Sequence, residues 1–339
     1  MQPDEINTKY NPYYIKKKFT FENIPPIASL ADLVTAGKSG KFYKNINNLM
    51  LWDIFPHVEN LNNLIGMEKL KNSVLYQILY YLQGMQGQNK EGEYMHTIIL
   101  GPPGTGKTSV ARLIGQIYKS MDLFAHTRLP CKFVQANRTN FVAEYLGQTS
   151  KKTNEFLLNC LGGILFIDEV YSLGDGNKKD TFSKEAIDTL NEFLSLHSRN
   201  FCCIIAGYEE DIKNCFLSVN SGLESRFAWV HRIDEYTTEN IVDIFLKMIK
   251  EINWVTNIPK SFLIGFFKTN EDIFENKGRD ISNFITKCKM VHSKRIFGQS
   301  ASAVNKFNLT IEDVENAVTM TRSYKLSAST KELYKHMYS

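Results

Sequence analysis

One short run limits what this chain can fold into: Gly101-Pro102-Pro103-Gly104-Thr105-Gly106-Lys107-Thr108. Its glycines leave backbone N–H groups free to turn inward toward one anion. The positive end of a following helix adds to that attraction. The spacing, Gly, four residues, Gly-Lys-Thr, is that of a phosphate-binding loop. In such a loop Lys107 reaches the outer phosphates of a nucleoside triphosphate and the Thr108 hydroxyl ligates Mg²⁺. The flanks agree. Thr97-Ile98-Ile99-Leu100 reads as a buried strand, and Ser109-Val110-Ala111-Arg112-Leu113-Ile114 as the start of a helix.

A second signal is Ile164-Leu165-Phe166-Ile167-Asp168-Glu169. Four apolar residues predict a buried strand, and the two carboxylates fall at its C-terminal edge, where open α/β sheets bind ligands. Asp168 is expected to hold Mg²⁺ and Glu169 to act as general base on water. Phosphoryl transfer is accelerated mainly by placed cations. Arg226, in Ser225-Arg226-Phe227, and Arg279, in Gly278-Arg279-Asp280, are the candidates for that role.

Apolar residues at helical spacing (Leu70, Val74, Ile78, Leu82) predict a helix before the loop, and Gly84 to Gly92 reads as a polar loop. Further strands are expected at Lys132 to Ala136 and Phe201 to Ala206. Strands alternating with helices imply a mostly parallel sheet covered on both faces. From about Thr237 the pattern becomes purely helical. Thr238 is a candidate cap for a first helix, a second starts near Asp280, and Thr310 can cap a third near Ile311. The expected organisation is an N-terminal extension (1–60), an α/β ATPase domain with a three-layer parallel-sheet core (61–236), a small all-α lid (237–325) and a tail (326–339). The extension reads either as an adaptor or as a helical hairpin braced on the core.

Composition narrows the class. With 43% hydrophobic and 22% charged residues the chain reads as a folded soluble protein, and a net charge of +4 neither requires nor excludes nucleic acid. No apolar run reaches membrane-spanning length. The residues Met1-Gln2-Pro3-Asp4-Glu5 do not resemble a secretory signal, so the expected location is cytoplasmic. The six cysteines form no C-x-x-C pair and the seven histidines no H-E-x-x-H, so zinc chemistry is not indicated. Adjacent Cys202 and Cys203 precede an Ile-Ile pair, and at least one is expected in the core. Lys16-Lys17-Lys18 is the one basic run in the extension that could touch nucleic acid.

In order, Leu64-Ile65-Gly66, the phosphate loop, Asp168-Glu169, Ser225-Arg226-Phe227 and Gly278-Arg279 resemble the landmarks of an AAA+ ATPase. Val142-Ala143-Glu144-Tyr145-Leu146-Gly147-Gln148-Thr149, Gly162-Gly163-Ile164-Leu165-Phe166-Ile167-Asp168-Glu169-Val170-Tyr171-Ser172-Leu173 and Ile205-Ala206-Gly207-Tyr208 resemble its CbbX/CfxQ and SpoVK-like branch. The wording, rich in asparagine, lysine and isoleucine, is similar to that of large DNA viruses. The resemblance implies a homo-oligomeric ring, usually a hexamer, with ATP and Mg²⁺ between subunits. The nucleotide would contact Ile65, Gly66, the run Gly101 to Thr108, Ser109, Asp168 and Arg279. Arg226 would act on the neighbour's γ-phosphate, and Tyr145, Leu146 and Gly147 would form a pore loop gripping a protein substrate. Tyr208 occupies the position where many members carry a polar sensor, with Glu209 and Glu210 as further candidates for orienting water. Glu224 stands where the branch often has a second arginine. Alternatives are a nucleic-acid motor or loader, and a nucleotide-dependent scaffold.

Overall fold

A computed structural model describes residues 20–85, 94–145, 147–174, 180–298 and 305–323. Its centre is a parallel five-stranded sheet: β1 (Thr97–Leu100), β2 (Phe133–Ala136), β3 (Ile164–Ile167), β4 (Cys202–Gly207) and β5 (Trp229–Arg232). The order across the sheet is β2-β3-β4-β1-β5. β1, β3 and β4 are buried along their whole length, as parallel strands covered on both faces must be.

Side chains alternate between the two faces. Ile99, Phe166, Cys202 and Ile204 point to one face, where they pack with four helices: α1 (Leu30–Lys38), α2 (Asn48–Asn62), α3 (Glu68–Leu82) and α4 (Lys107–Ser120). Ile98, Leu165, Cys203 and Ile205 point to the other, packing with α5 (Thr149–Leu158) and α6 (Thr181–Leu196). This is the three-layer arrangement expected. The alternation also explains the cysteine pair: both are fully buried, one on each face.

Within the N-terminal stretch, α1 and α2 lie on the sheet's first face. Leu33, Leu51, Ile54 and Val58 join the same core as Val110 and Ile114 of α4. Ser29 starts α1 through a capping box with Asp32. The boundary drawn at residue 60 falls inside α2, and Lys16-Lys17-Lys18 lies outside the described residues.

After β5 the chain builds a separate helical core from α7 (Thr238–Glu251), α8 (Lys260–Thr269), α9 (Gly278–Ile296) and α10, residues 311–323. Thr237, not Thr238, caps α7, forming a capping box with Asn240. α8 escaped the sequence reading because its start carries no signal: Pro259 precedes it without a side-chain cap. α9 begins at Gly278, earlier than Asp280, whose carboxylate accepts from Asn276 N at 2.7 Å. A buried ion network closes this lid. Asp313 takes bonds from Arg295 Nε (2.8 Å) and Thr310 N (2.9 Å) and faces His292 Nδ1 at 2.9 Å.

Candidate active site

β4 runs between β1 and β3, with Leu100 paired to Gly207 and Ile167 paired to Ile205. The loops that leave these strands therefore meet at one edge of the sheet. β1 leads into the phosphate loop, β4 into Tyr208 and β3 into Asp168-Glu169.

The phosphate loop turns through Gly104 at φ +70° and Gly106 at φ +85°. Gly104 is irreplaceable for a second reason. A Cβ there would stand 1.8 Å from the Asn276 carbonyl oxygen, and Gly278 N donates to Gly104 O at 3.2 Å. Lid backbone thus lies directly on the loop. Thr105 Oγ1 donates to Pro102 O at 2.8 Å, and the Tyr236 hydroxyl donates to Thr105 O at 3.0 Å.

Lys107 opens α4 and is only 9% exposed. Its ammonium donates to Gly101 O and Pro102 O, both at 2.9 Å, and lies 4.4 Å from the centre of the Tyr208 ring. Burial lowers its pKa. The charges of Asp168 and Glu169 counter that, and Arg279 adds to the lowering. Arg279 is thereby felt at the same site. It is the second residue of α9, where a cation opposes the helix dipole; helix stability is no reason for its presence there.

Thr108 Oγ1 donates to Asp168 Oδ2 at 2.5 Å. A hydroxyl and a carboxylate in contact are hard oxygen donors, and the pair fits Mg²⁺. Asp168 Oδ1 accepts the Glu169 N–H at 3.1 Å. Glu169 itself is exposed and sits at φ 49°, ψ 49°. That left-handed backbone is uncommon for a glutamate and concentrates at functional sites. Tyr171 stacks on Tyr208 with ring centres 5.7 Å apart. Burial first, then the Glu169 charge, push the Tyr171 phenol up to about 12.

Two hollows adjoin the loop. One, about 390 Å³, is lined by Ile65, Met67, Ser109, Tyr236, Met248 and Gly278 together with the loop itself. Its apolar wall beside an N–H-rich loop suits a nucleotide base and sugar. Gly66 follows Ile65 in the turn to α3, against Asn240 of α7. The larger hollow, about 590 Å³, is walled by Glu235, Glu271, Asp272 and Glu275 with a single lysine, Lys277. Its charge has the wrong sign for a triphosphate, so size does not decide the assignment.

Arg226 stands apart. Its Nε donates to Ser195 Oγ at 2.7 Å, its Nη1 to Ser225 Oγ at 2.6 Å, and its guanidinium lies 5.5 Å from the Tyr94 ring centre. None of these partners belongs to the phosphate loop. Glu209, named as a candidate for orienting water, is paired with two cations. It is tied to Arg232 (3.0 Å) and Lys213 (2.9 Å), and the Arg232 bond leads in holding its carboxyl down to about 2.

Tyr145 is 67% exposed at the tip of a turn in which Gln148 N bonds Tyr145 O and Gly147 takes φ +79°. It is not packed into the core of the chain. Leu146 lies outside the described residues. The base of the turn is pinned by Ala143 N to Thr149 Oγ1 (3.2 Å) and Lys152 Nζ to Val142 O (2.8 Å). Just upstream, Arg138 donates to Ser172 O (2.9 Å) and Ser183 Oγ (2.7 Å) and pairs with Asp180. One guanidinium thus ties the exit of β2 to the turn that follows Glu169.

Sequence reasoning gave no role to Met67, although it adjoins the Leu64-Ile65-Gly66 landmark, and missed Tyr236, Arg138, Ser195 and Tyr94. Only the fold brings these residues to their partners. Tyr171 was within a recognised stretch but carried no assigned role.

These features define a P-loop ATPase with a helical lid over its nucleotide loop. Residues 97–227 match the model of the ATPase family associated with various cellular activities (AAA). The chain is 35% identical over 247 residues to stage V sporulation protein K of Bacillus subtilis, covering 70% of this chain and 75% of that protein. It is 36% identical over 270 residues to a cfxQ-like protein, R730, of Acanthamoeba polyphaga mimivirus, covering 78% of this chain and 65% of that one. Similarity to the ESX-1 secretion system protein EccA1 of Mycobacterium tuberculosis (37% over 191 residues) spans only 32% of that longer protein. The Holliday junction branch migration motor RuvB of Thermotoga maritima shares the fold, with a TM-score of 0.52 at 16% identity over 77% of this chain and 71% of that one. The chain belongs to the AAA ATPases, in the CfxQ/SpoVK-like branch. Among the described residues no helix is long and apolar enough to cross a membrane.

Proposed function

We propose that this chain is the subunit of a homo-oligomeric ring, in its usual form a hexamer, that hydrolyses ATP to move an extended polypeptide through its centre. The observation that carries this reading is the exposed Tyr145 on its pinned turn, linked through Arg138 to the turn after Glu169. An aromatic held out from the surface can grip any unfolded segment by apolar and stacking contact, without reading sequence.

In this reading Lys107 and the loop N–H groups bind the β- and γ-phosphates. Glu169 takes the proton from the attacking water. Arg279 contacts the nucleotide in its own subunit, and Arg226 stabilises charge on the neighbour's γ-phosphate. Thr108 Oγ1 and Asp168 would hold Mg²⁺, which would neutralise charge on the phosphates. A ring needs head-to-tail contacts, so each site borrows a residue from the next subunit. The partners of Arg226, two serines and a ring outside the phosphate loop, support that division.

The test is ATP turnover against protein concentration, with Arg226→Ala subunits mixed into wild type. Turnover that rises with concentration and is poisoned by the mutant supports the ring. Turnover independent of both removes it. For threading, Tyr145→Ala is expected to keep basal hydrolysis and lose its stimulation by an unfolded polypeptide such as casein; intact stimulation sinks the pore mechanism.

A further inference from the structure

Tyr208 is the residue whose chemistry least fits its position, because a polar sensor is expected to offer a hydrogen-bonding group. Among the described residues its hydroxyl has no hydrogen-bond partner. Its ring, in contrast, faces a cation. A lysine ammonium has three N–H donors. Lys107 spends two on Gly101 O and Pro102 O, and its ammonium also faces the Tyr208 ring at 4.4 Å. Lys107 is buried, and a buried cation must be met by partners on every side. A ring face is such a partner, and it counts for more when water is excluded.

The ring is itself held. Tyr171 stacks on it, the planes 20° apart. The strand end is shaped to admit that second ring: a Cβ on Gly207 would stand 3.1 Å from Tyr171 Cδ1. Tyr208 follows directly on β4, the strand between the phosphate loop and Asp168-Glu169. A residue there can touch the lysine from one side and the acid's turn from the other.

We infer that Tyr208 acts through the face of its ring and not through its hydroxyl. With Tyr171 as its brace, it is a positioning residue that holds the Lys107 ammonium where the outer phosphates arrive. Preorganising the cation removes an ordering cost from nucleotide binding. The inference rests on the reading of Lys107 as the phosphate-binding cation.

The experiment uses the full chain with Tyr208→Phe, Tyr208→Leu and Tyr208→Asn, each also in a Lys107→Met background. Fluorescent ATP and ADP analogues are titrated with and without Mg²⁺, and kcat and KM are measured separately. Thermal melts check folding. Tyr208→Phe keeps the ring and is expected within about twofold of wild type in every readout. Tyr208→Leu and Tyr208→Asn are expected to weaken binding of the ATP analogue about tenfold, roughly 1.4 kcal/mol, with a smaller loss for ADP. In the Lys107→Met background the same substitutions should cost nothing further, because the effect travels through the lysine. A loss that persists in that background overturns the inference. So does the opposite ranking, with Tyr208→Asn active and Tyr208→Phe inactive, which would mean that a polar group is what the site needs. If Lys107→Met alone leaves affinity unchanged, the phosphate-binding reading fails instead, and the two failures are told apart.

Discussion

Lys107 and Arg226 are both cations that we propose act on phosphate, and they are held in opposite ways. Lys107 is buried, and its ammonium is surrounded by two carbonyls and a ring from its own nucleotide loop and sheet edge. Arg226 is half-exposed on a single turn, steadied by two serine hydroxyls and Tyr94. A group that serves its own subunit can be built into the core, where burial fixes it. A group that serves another subunit must stay at the surface, so only local hydrogen bonds can aim it. Desolvation is the cost of the first arrangement, and it is visible in the lowered Lys107 pKa.

Removing each cation should break the comparison most sharply. Arg226→Ala is expected to lower kcat by about 10³-fold or more while nucleotide affinity, read by fluorescence titration, stays within about threefold. Lys107→Met should do the reverse in emphasis, weakening ATP binding by about 10–100-fold through its lost charge-assisted bonds. If Arg226→Ala weakens binding as much as Lys107→Met does, both cations serve the same site and the division is wrong.

Acid should separate the two regions by a smaller margin. His96 and His231 are buried and held down to about 4, with burial the leading cause. His96 Nδ1 accepts the Cys203 N–H at 3.1 Å, a bond lost on protonation. The folded state therefore binds fewer protons than the unfolded state between about pH 6.5 and 4, so stability rises with pH there. It is complete above the unfolded value of about 6.5 and declines as pH falls toward 4, by on the order of 3 kcal/mol for each imidazole. Melting temperature against pH checks the sign. His96 packs against Tyr94 and Phe227, the two residues beside Arg226. Below pH 6 assembly-dependent turnover should therefore weaken before nucleotide binding does. Loss of binding first would place the sensitive region at the phosphate loop instead.

What was legible in the sequence follows the same division. The phosphate loop, Asp168-Glu169 and the sheet strands are encoded by neighbours in the chain, so spacing alone reveals them. Lys107 sits where the motif puts it. The partners of Arg226 are not encoded that way: Ser195 is 31 positions upstream and bonds only because α6 ends beside the 224–226 turn. Tyr236 and Met67 likewise reach the nucleotide hollow through the way the lid and α3 pack. The missed helix α8 lacks a cap, and the Gly278 start of α9 is set by lid backbone resting on Gly104. Contacts between distant segments, more than elements, are what a single sequence withholds.

The smallest expected effect tests the aiming of Arg226. Ser195 Oγ donates its proton to Asn191 O at 3.0 Å, which turns a lone pair toward Arg226 Nε. Ser195→Ala removes that acceptor but leaves Ser225 and the Tyr94 ring in place. A single hydrogen bond of about 1 kcal/mol corresponds to about a fivefold fall in kcat, with nucleotide affinity and assembly unchanged. Ser195→Thr keeps the hydroxyl and its bond to the preceding turn, and should restore the rate. If Arg226→Ala poisons mixed rings yet Ser195→Ala is silent, the finger is aimed by the neighbour it serves. Surface hydrogen bonds would then be incidental, and the contrast with Lys107 would reduce to burial alone.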